Sequence, residues 1–254
     1  MDLKERKFYR MKEDEEILTE IQKVLNLRPT YGYRRITYMV NQERSISGKP
    51  ALNHKRIYRI MKMNNLLVNK FAGKSITKRK TGKIMTLKSN TRWCSDGFEI
   101  KCFNGEKVFV IFSLDTCDRE AISFLAKKTP ILKEDVQRLM IRSVEKRFGA
   151  LKLPHRIQWL TDRGAVYRAL ETQYMARNLN LEPCFTAAYN PQSNGMAEAF
   201  VKTIKRDYVY NFDCYSADFV LKNIRKWFQD YNQNAPHSAL GMKSPAEFRK
   251  LNQV

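Results

Sequence analysis

Three acidic residues in this sequence lie where carboxylates can act together on a substrate or a cation. Asp162 directly follows an apolar strand predicted over 157–160, so its side chain should emerge where a sheet ends and a loop opens. Strand ends are where α/β sheets place ligands. Asp96 lies inside a predicted strand, an unusual place for a carboxylate without a partner or a cation. Glu198 begins a helix after the loop-like segment NPQSNG, so three acids from distant parts of the chain could converge.

The helix that begins near Glu198 presents two different faces. Apolar residues at helical spacing form one stripe, made of Ala197, Phe200, Val201, Ile204 and Tyr208. On another face, Glu198, Lys202 and Lys205 follow one another at i, i+4 and i+7. A metal-binding acid flanked by lysines that contact phosphate explains this pattern together with the loop before it. A salt-bridged helix surface also explains the pattern, and most of the 26 Asp and Glu residues must simply be solvated.

The composition of the chain favours a polyanionic partner. Lys and Arg number 47 against 26 Asp and Glu, which gives a net charge of +21 and a pI of about 9.8. Such an excess attracts nucleic acid, although a solvated basic surface is the alternative. No apolar run approaches the length of a membrane span, and the start of the chain lacks the apolar stretch of a signal peptide. We therefore expect the protein to stay in the cytoplasm.

The cysteines and histidines do not form a recognisable metal site. The five cysteines include no C-x-x-C pair, and the three histidines are far apart in the sequence. No zinc site of standard spacing is visible, so we interpret the cysteines as buried free thiols without a catalytic role.

The elements at the amino-terminal end form a small helical module. Apolar spacing predicts helices over 13–27 and 33–42, and Asn53 can cap a third helix. We interpret residues 1–68 as a helical DNA-binding region. Its basic residues that should lie on the surface and contact DNA phosphates are Arg34, Arg35, Lys55, Arg56 and Arg59.

A basic segment over 69–90 follows this module. It holds seven basic residues and no acidic one, and two glycines interrupt any periodicity. We interpret it as a linker in which Lys78, Arg79 and Lys80 contact DNA. A flexible spacer with incidental charge is an equally good interpretation.

Residues 91–254 have the pattern of a mixed α/β domain. An Asn-Gly pair between β-prone runs over 95–103 and 107–115 is a strong hairpin signal. Strands followed by alternating helices and strands make a mixed α/β sheet with flanking helices. The remaining predicted strands lie over 119–126, 156–160 and 181–186, and the helices over 133–148, 165–179, 192–212, 217–232 and 245–252.

Several sequence blocks resemble the catalytic core of retroviral integrases and related transposases. They are WCSDGFEI around Asp96, LTDRGAVY around Asp162 and NPQSNGMAEAFVKTIKRD around Glu198, with 35 residues between the last two acids. The blocks YGYRRITYMV, NHKRIYRIMK and YNQNAPHSALGMKSPAEF resemble those of bacterial insertion-sequence transposases. Among these, the chain is similar to the second-reading-frame product of elements with two overlapping frames.

This resemblance implies a ribonuclease-H-like fold and a DNA transposase that cleaves element ends and transfers strands, in DNA integration and recombination. It implies that Asp96, Asp162 and Glu198 are ligands to two magnesium or manganese ions, and that Lys202 and Lys205 hold the element's terminal DNA. In-line attack on a phosphodiester in such a site requires no covalent enzyme intermediate. The expected partners are DNA ends and target, further copies of this chain, and a first-frame helix-turn-helix product.

The resemblance is incomplete in one part and leaves two others open. Retroviral integrases carry a His-His-Cys-Cys zinc module before the core, which the three scattered histidines cannot supply. Asp115 and Asp118, in SLDTCDRE, resemble a second acidic block of the insertion-sequence group, and either could lie near the site; alternatively, Asp118 and Arg119 form a structural pair. Residues 192–194 either approach substrate or only form a turn.

The main competing function is a catalytically silent DNA-binding protein derived from a transposase, since binding requires only the positive charge. Retention of three acids at catalytic spacing favours the enzyme. A nuclease or resolvase of the same fold is a third hypothesis, but it gives no reason for the carboxy-terminal block over 231–248.

Overall fold

The computed structural model describes residues 13–68, 86–186 and 194–252, and the chain divides into two compact units, 1–79 and 80–254. The predicted DNA contacts Lys78, Arg79 and Lys80 lie outside the described residues, as do Gln192 and Ser193. No helix within the described ranges is both long and apolar enough to cross a membrane.

The amino-terminal unit is a bundle of three helices: α1 (Asp14–Leu27), α2 (Tyr33–Ile46) and α3 (His54–Met63). The Asn53 side chain accepts a hydrogen bond of 2.8 Å from the backbone N–H of Lys55, which confirms the predicted cap. One apolar stripe from each helix is buried in a shared core. That core comprises Ile17, Ile21, Val24, Tyr31, Ile36, Val40, Ile57, Ile60 and Met61.

The second unit is built on a five-stranded sheet in the order β3-β2-β1-β4-β5. The strands β1, β2 and β3 are antiparallel, whereas β4 and β5 run parallel to β1. The strands are β1 (Arg92–Lys101), β2 (Lys107–Asp115), β3 (Ala121–Lys127), β4 (Ile157–Thr161) and β5 (Leu181–Phe185). This confirms the predicted mixed sheet, and Gly105 in the predicted hairpin turn has φ +85°, a conformation that favours glycine.

Helices cover both faces of this sheet. The helices are α4 (Lys133–Phe148), α5 (Ala165–Arg168), α6 (Leu170–Asn178), α7 (Gly195–Asp207), α8 (Ala217–Asn234) and α9 (Pro245–Asn252). One hydrophobic core lies between the sheet and α7 and α8, and a second lies between the sheet and α4 to α6. Successive side chains of β1 therefore point into different cores. Only the side chains on one face of β1 can contact α7.

One predicted helix is interrupted in the structure. The segment over 165–179 forms α5 and α6, which are separated at Ala169, a residue with extended backbone (φ −52°, ψ 134°). The segment contains no proline and no internal glycine, so its sequence gives no signal for the break. The break allows α5 to pack as a separate turn directly after Asp162.

Candidate active site

Asp96 lies on the face of β1 that is covered by α7. Its neighbours at two-residue spacing, Cys94 and Phe98, are buried in the core formed with α7 and α8, and alternation places Asp96 on the same face. The backbone N–H of Gly97 donates a hydrogen bond of 2.8 Å to Asp96 Oδ1. Asp96 thus stands half-buried at the edge of an apolar core, with an oriented carboxylate.

Asp162 follows the last residue of β4 and is carried towards Asp96 by the sheet. In the parallel pairing of β1 with β4, Leu160 is opposite Cys94, so continuing the register by two residues brings Asp162 beside Asp96. The backbone N–H of Gly164 donates a hydrogen bond of 3.0 Å to Asp162 Oδ1. A Cβ at Gly164 would lie 3.1 Å from that oxygen, so glycine permits this close approach of the backbone.

Glu198 is presented by the first turn of α7. The apolar stripe of α7 is buried against the sheet, and the Phe200 ring lies 4.4 Å from the Phe112 ring, centroid to centroid. Phe112 is the residue directly opposite Asp96 on β2. The Glu198 side chain is exposed, and its carboxylate is 4.0 Å from the Lys202 ammonium.

The charges of Asp162 and Glu198 act on the Asp96 carboxyl group. Burial raises the pKa of Asp96 to about 6, the Gly97 hydrogen bond opposes that shift, and the charges of Asp162 and Glu198 raise the pKa further. Asp96 and Asp162 have no ion pair with a described residue. Within the described ranges, no group of three or more His, Cys, Asp or Glu side chains is close enough together to hold a metal ion. The three carboxylates therefore do not form a closed metal site in this structure.

A second group of acids lies at and just beyond the carboxyl end of β2 and is neutralised internally. The Arg147 guanidinium of α4 pairs with Asp115 (3.2 Å), Asp118 and Glu120. Asp118 is thus paired with Arg147, whereas the Arg119 guanidinium contacts the Met196 sulfur. The expected Asp118–Arg119 pair is therefore wrong, and Asp115 and Asp118 share the Arg147 guanidinium instead.

Sequence and structure comparisons agree with this architecture. Two models described as integrase core domain match residues 87–191 and 179–245, and a model described as HTH-like domain matches residues 12–74. The chain is 45% identical over 237 residues to the Escherichia coli transposase InsD for insertion element IS2A/D/F/H/I/K, covering 93% of this chain and 79% of that protein. Transposase InsD for insertion element IS2-9 from Escherichia coli strain K12 gives the same identity, with 77% of its length covered.

The chain belongs to the family of insertion-element transposases with an integrase core. It is therefore a DNA transposase, an enzyme of the polynucleotidyl transferase class, with an HTH-like region and a ribonuclease-H-like core. Its fold is shared with a chain of the simian T-cell lymphotropic virus intasome in complex with PP2A regulatory subunit B56 gamma. That match has a TM-score of 0.55 at 15% identity and covers 92% of this chain and 76% of that chain.

The basic residues predicted on the helical region of the transposase differ in their surroundings. Arg56 and Arg59 of α3 are only 20% and 18% exposed, and both pair with Asp14 of α1, at 3.1 and 2.6 Å. Arg35 of α2 lies over the Tyr31 ring at 4.8 Å. Arg34 and Lys55 are exposed. Two of the five predicted contacts are therefore engaged in joining α3 to α1.

The predicted DNA-binding lysines of α7 lie on the side of the helix that carries Glu198. Lys202 is 79% exposed, and the Lys205 ammonium lies 5.6 Å from the centre of the Phe98 ring on β1. The Lys205 cation therefore lies against an aromatic ring of the strand that carries Asp96, whereas Lys202 is largely in solvent beside Glu198.

Sequence reasoning missed two groups that shape this region. Arg147 neutralises the second acid group, but a basic residue near the end of an amphipathic helix is usually an exposed one. Tyr167, in the block LTDRGAVY, places its hydroxyl 3.0 Å from the Ser95 hydroxyl in the interior. Its only sequence signal is its position five residues after Asp162.

Proposed function

We propose that the transposase cleaves the ends of its element and transfers the strands by metal-dependent phosphoryl transfer, with Asp96, Asp162 and Glu198 as ligands to two magnesium or manganese ions. The observation that carries this proposal is the electrostatic state of the three acids. They come from distant segments, the charges of Asp162 and Glu198 raise the pKa of Asp96, and Asp96 and Asp162 lack a cationic partner among the described residues. Carboxylates left in this state favour an added cation.

The carboxylate oxygens of these three residues are suitable ligands for the proposed ions. Carboxylate oxygens are the ligands that magnesium and manganese prefer, and a site with only three such groups leaves positions for water and phosphate. When bound, a pair of such ions activates the attacking water or 3′-hydroxyl and stabilises the leaving oxygen. The chain's own contribution is to orient these groups: Gly97 and Gly164 donate backbone hydrogen bonds to Asp96 and Asp162.

Glu198 differs from the two aspartates because it is carried by a helix and not by the sheet, and its side chain is exposed. Its only ion pair with a described residue is the long contact to Lys202, and exposed pairs of this kind contribute little free energy. The side chain is therefore free to turn from Lys202 towards the two aspartates when a cation is present, which is consistent with the absence of a closed chelate among the described residues.

We propose that Lys202 and Lys205, which border Glu198, hold DNA phosphates at this site. We propose that the helical unit makes its own phosphate contacts, for which Arg34 and Lys55 are exposed. Arg35, Arg56 and Arg59 add positive charge while their side chains contact Tyr31 or Asp14. Lys78, Arg79 and Lys80 remain proposed contacts in the basic linker.

Joining two element ends requires that both be held together, so we propose that at least two copies of the chain act on DNA, with a first-frame product as a further partner. We place this activity in the bacterial cytoplasm at the nucleoid.

The number of chains in the complex is tested by measuring the size of the protein with and without end DNA. A complex with two or more chains supports the proposed assembly, and a stable one-chain complex that is active in strand transfer contradicts it.

The enzymatic proposal is tested with labelled DNA that carries the source element's ends, incubated with Mg²⁺, Mn²⁺ or EDTA. Asp96→Asn, Asp162→Asn and Glu198→Gln should each reduce nicking by about a thousandfold, since a metal site supplies several kcal/mol of transition-state stabilisation. Glu171→Gln removes an exposed carboxylate of α6 and serves as the matched control.

Each outcome of this experiment has a definite meaning. Loss of nicking with retained DNA binding supports the assignment, and retained nicking removes that residue from the site. Binding without any strand breakage by the wild type indicates either a silent DNA-binding protein or a need for the first-frame product, and addition of that product separates the two.

A further inference from the structure

A buried hydrogen bond lies directly behind the candidate active site. The hydroxyl groups of Ser95 and Tyr167 are 3.0 Å apart, and the two residues are 0% and 6% exposed. Ser95 precedes Asp96 on β1, and Tyr167 belongs to α5, five residues after Asp162. The bond therefore connects the two chain segments that carry the two aspartates.

Its position on the sheet shows why such a connection is needed. The backbone pairing of β1 with β4 extends from Arg92 opposite Gln158 to Cys94 opposite Leu160 and ends there. The two aspartates each lie two residues beyond the last pair. No strand pairing fixes their segments to each other at that point, and the Ser95–Tyr167 bond is the next contact that does so.

The loop between Asp162 and Tyr167 transmits this constraint through two consecutive hydrogen bonds. The backbone N–H of Gly164 donates to Asp162 Oδ1 at 3.0 Å, and the backbone N–H of Tyr167 donates to the Gly164 carbonyl at 3.1 Å. A displacement of the Tyr167 backbone would therefore be passed to Gly164, whose N–H orients the Asp162 carboxylate.

The two hydroxyls lie on the opposite face of β1 from the Asp96 carboxylate. Successive side chains of a strand point to opposite faces, so Ser95 faces α4 to α6 whereas Asp96 faces α7. Burial raises the pKa of the Tyr167 phenol, so this group stays protonated and able to donate. The pair is thus a neutral support that leaves the front of the site open to substrate.

We propose that Tyr167, through its hydrogen bond to Ser95, is a positioning residue that fixes the separation of Asp96 and Asp162 and so sets the affinity of the transposase for divalent cations. This inference rests on the proposed function, in which these aspartates are metal ligands. The hydroxyl of Tyr167 contributes no atom to the reaction.

The test removes single hydroxyls. Tyr167→Phe and Ser95→Ala should each raise the Mg²⁺ concentration for half-maximal nicking by about fivefold, the effect of one net hydrogen bond, with near wild-type rates at saturating metal. The double variant should resemble either single variant, because both remove the same bond. Tyr174→Phe removes an exposed phenol of α6 and should leave the midpoint unchanged.

A second measurement does not depend on catalysis. Mn²⁺ should raise the thermal unfolding temperature of the DNA-free wild type, and the concentration needed should increase about fivefold in Tyr167→Phe and Ser95→Ala. An unmoved metal midpoint in both variants, or a rate defect that saturating metal does not correct, overturns the inference. Retained nicking by Asp162→Asn would instead overturn the proposed function, so the two failures are distinguishable.

Discussion

The catalytic unit contains two groups of acids that differ in what balances their charge. Asp115, Asp118 and Glu120 surround the Arg147 guanidinium, whose burial alone would lower its pKa but whose three carboxylate neighbours raise it. Asp96 and Asp162 have only backbone N–H groups as described partners, at Gly97 and Gly164. The charge of the first group is balanced within the chain, whereas the second group has no cationic side chain paired with its aspartates among the described residues and is the proposed site for an added cation.

This difference is not visible in the acidic motifs themselves. The blocks SLDTCDRE and LTDRG both place aspartates at strand ends beside arginine. In the first, Arg147 of α4, 29 residues from Asp118, enters the interior to meet the acids. In the second, the adjacent Arg163 donates instead to the Thr186 carbonyl at 3.0 Å. A buried cation from a distant helix is therefore what separates a structural acid group from a candidate catalytic one.

The largest expected effect follows from removing that cation. Arg147→Met retains much of the side-chain volume but leaves the buried carboxylates of Asp115 and Asp118 without a cation, whereas Glu120 keeps its pair with Arg249. We therefore expect a loss of about 3–5 kcal/mol in the free energy of unfolding. Urea denaturation measures this loss. Arg142→Met removes an exposed arginine of the same helix and should change stability by less than about 0.5 kcal/mol. Equal effects in the two variants would contradict the contrast between the acid groups.

Replacing an acid of the other group should increase stability, and not decrease it, in metal-free protein. The pKa of Asp96 is about 6 in the folded chain against an ordinary 3.8, so the folded state holds this proton more tightly and loses stability as pH rises between these values. Asp96→Asn removes this titration. Its unfolding temperature relative to wild type should therefore increase from pH 4 to pH 6 and then stay constant, with a gain on the order of 2 °C at pH 7.

Thermal unfolding in EDTA across this pH range is the measurement. Mn²⁺ should reverse the order at pH 7, because the wild type gains a ligand that the variant binds poorly. A variant that is less stable than wild type in EDTA at pH 7 would show that Asp96 is satisfied within the chain.

The smallest effect on stability is expected at Lys202. Its exposed contact to Glu198 is 4.0 Å long, so Lys202→Gln should leave the free energy of unfolding unchanged. Loss of one phosphate contact should still lower DNA affinity and reduce the slope of log affinity against log salt by about 1. Binding titrations at several salt concentrations, with Lys133→Gln as an exposed control on α4, test this contact. An unchanged slope would exclude Lys202 from the DNA interface.

The elements predicted best from the sequence are those with strong local signals. The Asn53 cap, the Asn104-Gly105 hairpin and the helix over 133–148 have propensity and periodicity that agree with their surroundings. The break at Ala169 has no such signal because tertiary packing, and not local chemistry, separates α5 from α6. The three acids of the candidate site were identified from the sequence through the family resemblance. The register of the sheet then showed where the two aspartates lie.

Contacts between distant segments could not be predicted from local patterns. Arg56 and Arg59 have the spacing of a basic helix surface, yet they pair with Asp14, more than 40 residues away. The Ser95–Tyr167 bond spans 72 residues and joins two residue types that are common at many positions. One sequence specifies such pairs only through the complete fold, because neither partner carries a local pattern that indicates the other.

Mn²⁺ binding to the DNA-free transposase distinguishes the two acid groups. Asp96 and Asp162 should bind divalent cations, whereas the acids paired with Arg147 should not. Electron paramagnetic resonance of the free ion measures this binding. The wild type and Glu120→Gln should bind alike, whereas Asp162→Asn should bind at least about tenfold more weakly, since one of three carboxylate ligands is lost. Wild-type binding by Asp162→Asn, or loss of binding in Glu120→Gln, would contradict the account.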